Sequence, residues 1–270
     1  MPNQQVSEQK LQEWVSRFRF YRKPPTSEEL RSWIDRFRPN HVDLAIKILD
    51  NVEIVSEVEI QEGYRESLNG LNGWSKVDEA RVGRWFFVGL GTAGESGPAM
   101  VRLFREANKM SQAKWREFFV EFRELPKKAL TAYDNVVFID DFSGSGRQIV
   151  DGWPLVEELI ASEAKLFLIL TAITEQARDE ILEKTEFNVV ANKVLPRAAN
   201  VVSDDNGVFS PQEKIDIEAF GRIAWPAHPC GYGRCALLFV LSHKTPNNTI
   251  PILHANTAAW EGPFPRHLLK

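Results

Sequence analysis

The segment at residues 135–148 constrains the fold more than any other part of the sequence. A short run of strand-forming, mostly apolar residues is followed by two adjacent acids, Asp140 and Asp141, and then by a loop of small residues. A continuous apolar run of this length is typical of a strand buried on both faces of a parallel sheet. Ligands of parallel sheets bind beyond the carboxyl ends of the strands. The segment therefore predicts both a fold class and a ligand site.

Apolar runs and helical patterns alternate along much of the chain. Further apolar runs predict strands at 84–90, 165–170, 187–190 and 235–241. Helical patterns occupy 98–104, the residues from about Gln148 onward, and 175–184. Strands that alternate with helices indicate an α/β domain built on a parallel sheet. The polar region 196–233 predicts no regular element.

The N-terminal part of the chain has a different pattern. Apolar residues recur at helical spacing in three segments, at 11–18, 26–37 and 41–49. These stripes predict amphipathic helices whose apolar faces either pack in a core or meet a partner. We expect residues 1–75 to form a helical segment that packs on an α/β domain of residues 76–270, within one continuous globular unit.

Composition excludes several classes of protein. The net charge of −4 over 270 residues does not resemble the overall field of a nucleic-acid binder, although it leaves room for a local basic patch. Two cysteines, Cys230 and Cys235, exclude a disulfide scaffold and fit a reducing compartment. The N-terminus has no apolar core after a basic start, and no apolar run would span a bilayer. We therefore expect a soluble, cytoplasmic protein without a membrane partner.

The residues after the central strand suit an anionic sugar ligand. Adjacent carboxylates repel each other, and burying them lowers stability unless ribose hydroxyls or Mg²⁺ pair with them. Small residues let backbone N–H groups approach an anion, and a helix N-terminus favours negative charge. The predicted phosphate loop consists of Ser143, Gly144, Ser145, Gly146, Arg147 and Gln148. The alternative is an ordinary strand–turn–helix connection with acidic N-capping residues.

A second glycine-rich loop follows the strand at 84–90. Residues 89–94 fit the pattern G-x-G-x-x-G, but a dinucleotide site needs an acid about 20 residues further on. The next strand instead reaches its acid at Asp140. Residues 89–96 nearly fit the Walker pattern, yet Glu95 stands where the lysine belongs and would repel phosphates. Both interpretations are therefore disfavoured.

The central segment resembles the signature for phosphoribosyl pyrophosphate (PRPP) in type I phosphoribosyltransferases: an apolar strand, two acids and a loop of Thr, Ser and Gly. In that family the acids hold the ribose hydroxyls and the loop surrounds the 5′-phosphate. The resemblance implies that Asp140 and Asp141 are the catalytic pair and that residues 143–148 bind the phosphate. The family usually ends this loop with Thr or Ser. Gln148 stands there instead, and its amide also donates to phosphate.

The same resemblance explains the first glycine-rich loop. Phosphoribosyltransferases bind pyrophosphate through backbone amides of a loop that follows the first core strand. The matching positions here are Gly91, Thr92, Ala93, Gly94, Glu95, Ser96 and Gly97. Two anion-binding loops on neighbouring strands would then serve one ligand. Mg²⁺ would be held through PRPP, near Asp140 and Asp141, and not by protein ligands alone.

The interval between the two loops corresponds to a mobile, basic loop of that family. Its basic residues include Lys109, Lys114, Arg116, Lys127 and Lys128. A solvated charged surface is the alternative explanation for them. No catalytic cation stands out among these side chains.

The C-terminal third contains two further motifs. The segment 228–235 holds a histidine and both cysteines, but its spacing does not match a zinc site, because Cys235 is expected to open a strand. The segment 245–253 contains Asn247 and Asn248, which would line the acceptor side of the site or form a structural turn. It is similar to a Pro-Asn-Asn-Thr segment in phosphoribosyltransferase-like proteins of bacterial conflict and anti-phage loci, some of them associated with retrons.

The resemblance implies a phosphoribosyltransferase-like α/β core with an N-terminal helical segment and a C-terminal hood of β-structure and loops. It implies a transferase, more broadly a glycosyltransferase, that binds PRPP or a related nucleotide with Mg²⁺ and transfers phosphoribose to an acceptor. A role as an effector in antiviral defence follows, with a protein or ribonucleoprotein partner. Two alternatives stay open: a sensor that binds PRPP or a nucleotide without turnover, and an enzyme that cleaves N-glycosidic bonds.

The substitution Glu95→Lys tests the rejected Walker interpretation. It completes the pattern G-x-x-x-x-G-K-S at residues 89–96, but we expect no ATPase activity, because the acidic pair and the second glycine-rich loop fit a different ligand. The measurement is phosphate release from ATP and Mg²⁺, with the wild-type protein as the control. ATP hydrolysis by the variant alone would reinstate the Walker interpretation.

Overall fold

A computed structural model describes residues 6–91, 96–160 and 164–266. The chain divides into two compact units. One comprises the chain up to Glu57 together with the residues from Pro196 onward, and the other comprises Val58–Leu195. This division differs from the boundary near residue 75 that the sequence suggested, because the chain leaves the first unit to form the large sheet and then returns to it.

Within these ranges the chain forms eight α-helices. They are α1 Glu8–Phe18, α2 Ser27–Ile34, α3 Val42–Asn51, α4 Glu57–Asn69, α5 Ser96–Ala107, α6 Arg147–Leu159, α7 Glu175–Lys184 and α8 Pro211–Ala224. Short 3₁₀ turns lie between several of these helices.

Six strands form two parallel sheets in the described ranges. The strands are β1 Glu53–Val55, β2 Trp85–Gly89, β3 Asn135–Ser143, β4 Lys165–Thr174, β5 Asn188–Leu195 and β6 Phe239–Leu241. The large sheet has the order β2-β3-β4-β5, and β1 pairs with β6 in a separate two-stranded sheet. The predicted α/β class with a parallel sheet is confirmed.

The first unit is built around the apolar stripes of α1, α2 and α3. Trp14 and Trp33 are fully buried within it, together with the other apolar residues of the stripes. The indole N–H of Trp14 donates to the carboxylate of Asp50 at 2.8 Å, and that of Trp33 donates to the carbonyl of Ile252 at 2.7 Å. A buried indole needs such an acceptor. The stripes therefore form core.

Helix α8 corrects the expectation that residues 196–233 are irregular. Ser210 caps the helix by accepting from the N–H of Glu213, whose carboxylate accepts in return from the N–H of Ser210. Pro211 occupies the first helical position, where its missing N–H costs nothing. Ile217 and Phe220 bury the inner face of the helix. The capping box was readable in the sequence, and the polar surroundings concealed it.

The C-terminal strand is shorter than predicted. Residues 235–241 were expected to form it, but β6 covers only Phe239–Leu241 and pairs with β1, which the sequence did not predict. Cys235 follows a 3₁₀ turn and has helical backbone angles, so the expectation that it opens the strand is wrong. A left-handed residue at Ala236 separates it from the strand.

The second unit contains the four-stranded sheet. Helix α5 follows β2, α6 follows β3 and α7 follows β4, which is the alternation that the sequence predicted. Strand β5 is longer than the predicted 187–190, because its pairing with β4 continues to Thr174 opposite Leu195. The buried side chains of β3 and β4 form the centre of this unit's apolar core.

Two helical glycines provide a matched test of the packing. A Cβ atom on Gly221 of α8 would lie 1.9 Å from the carbonyl oxygen of Pro229, whereas one on Gly152 of α6 would meet nothing within 4 Å. We expect Gly221→Ala to lower the free energy of unfolding by about 1–3 kcal/mol through overpacking. Gly152→Ala should raise it by about 0.5–1 kcal/mol, because alanine favours the helix.

Urea denaturation of the two variants beside the wild type measures both changes. Equal effects of the two substitutions would contradict the close approach of Gly221 to Pro229.

Candidate functional site

The acidic pair lies where two neighbouring strands differ in length. Pairing between β2 and β3 ends at Gly89 opposite Ile139, whereas β3 continues beside β4 until Ser143 opposite Ile173. The acids were expected to follow the strand, but they belong to its last four residues. The cause is β4, whose length lets the ladder continue. A step in the sheet edge results, and the acids occupy it.

Asp140 is buried, with 4% of its surface exposed. Its Oδ1 atom accepts from the hydroxyl of Ser96 at 2.6 Å and from the N–H of Asp141 at 2.9 Å. Burial raises the pKa of Asp140 well above its usual range, and the charge of Asp141 raises it further. The hydrogen bond from Ser96 works in the opposite direction. A carboxyl held in this way retains a proton more easily than one in water.

Helix α4 supports the acidic pair from below. The Tyr64 hydroxyl donates to the backbone carbonyl of Asp140 at 3.0 Å. Burial raises the pKa of Tyr64, which keeps the phenol protonated and able to donate. Asp141 is likewise buried, with 7% of its surface exposed. The neutral phenol of Tyr64 therefore holds the backbone of Asp140 in place.

The second glycine-rich loop leads directly into α6. Gly146 is the N-cap residue of this helix and has φ of 74°, a left-handed conformation that glycine adopts without strain. No side chain in the described part of the protein caps α6. The N–H groups of Arg147 and Gln148 make no hydrogen bond within the described residues and are therefore available to an anion, whereas that of Ile149 donates to the carbonyl of Gly146.

Thr174 anchors this loop from the end of β4. Its hydroxyl donates to the carbonyl of Gly144 at 2.6 Å and accepts from the N–H of Ala177 at 3.0 Å, which caps α7. Ser143 and Gly144 are buried, and Ser145 is half-buried. The loop is therefore fixed through its backbone, while its helical end stays accessible.

Two predicted phosphate ligands lie in the first turn of α6. Arg147 and Gln148 are both exposed there, in line with the uncapped N–H groups. A guanidinium and an amide in this position are free to turn toward an anion at the helix N-terminus. The structure thus brings residues 143–148 together at one end of β3.

Only part of the first glycine-rich loop belongs to the described residues. Thr92, Ala93, Gly94 and Glu95 lie outside them. Gly91, which has φ of 91°, and the helical start of α5 flank this stretch. A Cβ atom on Gly97 would lie 1.9 Å from the carbonyl oxygen of Leu90, so only glycine allows this approach. The approach brings Ser96 within reach of Asp140.

The basic residues between the two loops are dispersed. Residues Ala113–Phe118 and Phe122–Lys128 form 3₁₀ helices, and the N–H of Val120 donates to the carbonyl of Phe87 at 3.2 Å beside β2. Lys114 lies over the ring of Trp115, with its Nζ atom 5.1 Å from the ring centroid. The interval is thus structured next to the sheet, and none of its cations contacts Asp140 among the described residues.

The predicted acceptor-side loop belongs to the first unit. The Asn248 amide donates to the carbonyl of Tyr232 at 3.0 Å and to the sulfur of Cys235 at 3.3 Å. The carbonyl of Asn247 accepts from the N–H of Tyr232 at 2.7 Å. These bonds fit the alternative interpretation, a structural turn, because the amide of Asn248 is already used within its own unit.

The described residues contain no group of three or more histidine, cysteine or acidic side chains placed to hold a metal ion. Cys230 is buried, and burial raises the pKa of its thiol to about 11. The thiol is therefore protonated at neutral pH and is a poor metal ligand or nucleophile.

Comparison with known families identifies the chain. The PRTase-CE family matches residues 30–266, a range that includes both glycine-rich loops and the acidic pair. The chain belongs to the PRTase-CE family. Among curated proteins, none matches the chain. As a PRTase-CE protein it has the phosphoribosyltransferase-like α/β core that its parallel sheet shows, and it is phosphoribosyltransferase-like in function at this coarse level.

In the ranges that the structure describes, no helix of this PRTase-CE protein combines the length and the apolar character that a membrane crossing needs.

Sequence reasoning missed two of the groups that build the site. Thr174 stands at the end of β4 and begins the pattern Thr-Glu-Gln-Ala, so a capping threonine at a strand end was a readable signal. Tyr64 lies in α4, about 75 residues before the acids, where nothing in the local sequence marks it. A long-range contact of this kind appears only in the structure.

The buried carboxyl of Asp140 generates a prediction about pH. Its folded pKa lies above the unfolded value, so the folded state loses stability as the pH rises between those two values. Asp140→Asn cannot ionise and keeps an oxygen for Ser96. We expect the variant to be more stable than the wild type at pH 7, and this advantage to disappear below about pH 4, near the ordinary pKa of aspartate.

Urea denaturation at several pH values measures the difference. Asp151→Asn, on the exposed face of α6, is the control and should show no such trend. An advantage of Asp140→Asn that does not depend on pH would contradict the raised pKa.

Proposed function

We propose that this PRTase-CE protein binds PRPP with Mg²⁺ and transfers its phosphoribosyl group to an acceptor. The observation that carries the proposal is the position of the acidic pair. Asp140 and Asp141 lie on β3 directly before the second glycine-rich loop, and the hydroxyl of Ser96, from the described end of the first loop, donates to Asp140 at 2.6 Å. One elongated ligand with phosphate at one end and pyrophosphate at the other would fill both loops.

The acids and the loop would bind different parts of PRPP. Carboxylates accept hydrogen bonds from ribose hydroxyls, so Asp140 and Asp141 would fix the sugar ring. The N–H groups at the start of α6, with Arg147 and Gln148, would hold the 5′-phosphate. Fixing both ends orients the C1 atom of ribose toward the acceptor and lowers the entropic part of the barrier.

Transfer needs no covalent intermediate with the protein. The bond between C1 and the pyrophosphate oxygen breaks while a bond from C1 to the acceptor forms, and the ribose passes through an oxocarbenium-like state. Backbone amides of the first glycine-rich loop would stabilise the departing pyrophosphate. The role of Ser96 in this scheme is to position Asp140 against the ribose.

The residues present fit Mg²⁺ that is bound mainly through the substrate. Mg²⁺ prefers six oxygen ligands in octahedral geometry, and the site offers the carboxylates of Asp140 and Asp141. Oxygen atoms of PRPP and water would complete the set. When bound, the ion supplies positive charge that offsets the charge of the pyrophosphate.

Two other functions are compatible with parts of the site. Gln148 replaces the usual hydroxyl residue, and no catalytic cation stands out in the sequence, which favours a sensor that binds PRPP or a nucleotide without turnover. An enzyme that cleaves the N-glycosidic bond of a nucleotide would use the same carboxylates. Turnover separates these functions, because cleavage consumes nucleotides without added PRPP.

The biological setting is part of the proposal. The Pro-Asn-Asn-Thr segment at 246–249 resembles that of proteins from anti-phage loci, including retron-associated ones. We expect the protein to act as a cytoplasmic effector of antiviral defence, with a protein or ribonucleoprotein partner. Deletion of the gene from its native locus should then abolish protection against phage, and unchanged protection would remove this part of the proposal.

The double substitution Asp140→Asn with Asp141→Asn tests the assignment of ribose. We expect PRPP binding in the presence of Mg²⁺ to weaken by at least about 100-fold, because neutral amides at buried positions lose charge-assisted hydrogen bonds worth about 1.5–3 kcal/mol each. Calorimetric titration measures the affinity. The matched control, Asp151→Asn with Asp179→Asn, changes two exposed acids on α6 and α7. Unchanged affinity of the double variant would contradict the assignment.

The same preparations, assayed for released pyrophosphate, test catalysis. Release with a candidate acceptor, lost in the double variant, supports transfer. Binding without release across nucleobases, nucleosides and RNA would favour the sensor.

A further inference from the structure

The end of the large sheet formed by the amino ends of its strands carries an exposed aromatic side chain. Tyr133 is 80% exposed, more than any other large apolar side chain in the described residues. It lies directly before β3, at the amino ends of the strands, whereas Asp140 lies near the carboxyl end. Among the described residues its ring makes no aromatic or cation–π contact. A single exposed ring is common on protein surfaces, so its surroundings decide whether it has a role.

The turn that presents Tyr133 is held by an ion pair between the exposed Arg84 and the buried Asp134. The carboxylate of Asp134 accepts from the N–H of Thr131 at 2.7 Å and from its hydroxyl at 3.0 Å. The Arg84 guanidinium donates to the same carboxylate from Nε at 2.8 Å and from Nη2 at 2.6 Å. These bonds hold the pKa of Asp134 below its usual range. The ring of Tyr133 takes no part in any of them.

Hydrogen bonds to backbone carbonyls bring three lysines of the sequence close to the turn. Arg84 also donates to the carbonyls of Lys128 at 3.1 Å and Ala129 at 3.0 Å, which fixes the segment that contains Lys127. The carbonyl of Asp134 accepts from the N–H of Lys165, the first residue of β4, at 2.9 Å. Lys127 and Lys165 are exposed, and Lys128 is half-buried with its Nζ atom 5.9 Å from the Phe86 ring centroid.

Three lysines and one paired acid lie at this turn. Asp134, the acid of the turn, is buried and already paired with Arg84. None of Lys127, Lys128 and Lys165 forms a salt bridge within the described part of the chain. Three lysines without a salt bridge in the described residues, next to an exposed ring, match the chemistry of single-stranded nucleic acid, whose phosphates pair with lysine and whose bases stack on aromatic rings. An acidic protein segment would use the lysines but would have no need of the ring.

We propose that Tyr133, Lys127, Lys128 and Lys165 form a binding surface for single-stranded nucleic acid. The phosphodiester backbone follows the lysines, and one base stacks on the ring of Tyr133. The pair of Arg84 and Asp134 holds the backbone of the turn and of the segment at Lys128 before the ligand arrives, so little backbone entropy is lost on binding. The surface lies at the amino ends of the strands, whereas the acidic pair lies near the carboxyl end of β3. Binding at this surface does not depend on the chemistry of the acidic pair.

Fluorescence anisotropy of labelled oligothymidylate of about 20 nucleotides, at about 50 mM salt, tests the surface. We expect Tyr133→Ala to weaken binding by about 5- to 100-fold and Tyr133→Phe to retain it, because stacking needs the ring and not the hydroxyl. Oligouridylate of equal length distinguishes RNA from DNA as the ligand. The ring is exposed, so thermal unfolding of both variants should match the wild type.

Substitution of the lysines tests the contribution of charge. Lys127→Gln with Lys165→Gln should reduce the slope of log Kd against log salt by about 1.4, at about 0.7 for each phosphate that no longer pairs with a lysine. The matched control, Arg102→Gln with Arg222→Gln, removes the same charge from two exposed positions, 82% and 64% exposed in their side chains. It should leave the slope unchanged.

Three results would overturn the proposal. They are the absence of binding to either oligonucleotide, an equal effect of the lysine variant and its control, and no effect of Tyr133→Ala. Binding of polyglutamate with the affinity of the oligonucleotides would show an acidic protein to be the partner instead.

Discussion

The position of the acidic pair depends on the unequal lengths over which β3 pairs with its two neighbours, β2 and β4. β2 stops opposite Ile139, and β3 continues with β4 for four more residues, so within the described residues the acidic pair stands where β3 has a paired strand on one side only. The start of α5 fills part of that step, since the close approach of Gly97 to Leu90 brings the Ser96 hydroxyl onto Asp140. Burial and mutual repulsion make this arrangement unfavourable for two carboxylates. Such strain is expected where a ligand, and not the fold, needs the charges.

The parts of the fold that local patterns encode could be predicted. Continuous apolar runs indicated β2, β3 and β4, and the small-residue loop before α6 indicated an anion site, because these signals depend on neighbouring residues. Features set by distant residues could not be predicted. The extension of β3 through Asp140 and Asp141 depends on the length of β4, and the support from Tyr64 depends on a helix far away in the sequence. The division into two units also depends on residues far apart in the sequence, because strand β1 at 53–55 pairs with strand β6 at 239–241.

The carboxyl and amino ends of the strands in the large sheet differ in chemistry. At the carboxyl end, acids and uncapped helical N–H groups suit a sugar phosphate. At the amino end, lysines lie near Tyr133, beside the ion pair of Arg84 and Asp134, and suit a polymer of phosphates. Each end uses a directional interaction to hold exposed or reactive groups: the bond from Ser96 to Asp140 at one, the guanidinium–carboxylate pair at the other. The proposed nucleic-acid surface and the acidic pair thus lie at opposite ends of one sheet.

The assignment of the acidic pair to ribose is the central claim, and a crystal structure of the protein with PRPP and Mg²⁺ tests it most directly. The account predicts ribose hydroxyls within hydrogen-bond distance of the carboxylates of Asp140 and Asp141, with the 5′-phosphate against the N–H groups at the start of α6. It also predicts the pyrophosphate beside Gly91 and Ser96. PRPP bound elsewhere, or phosphate at α6 with the ribose turned away from both acids, would contradict the account.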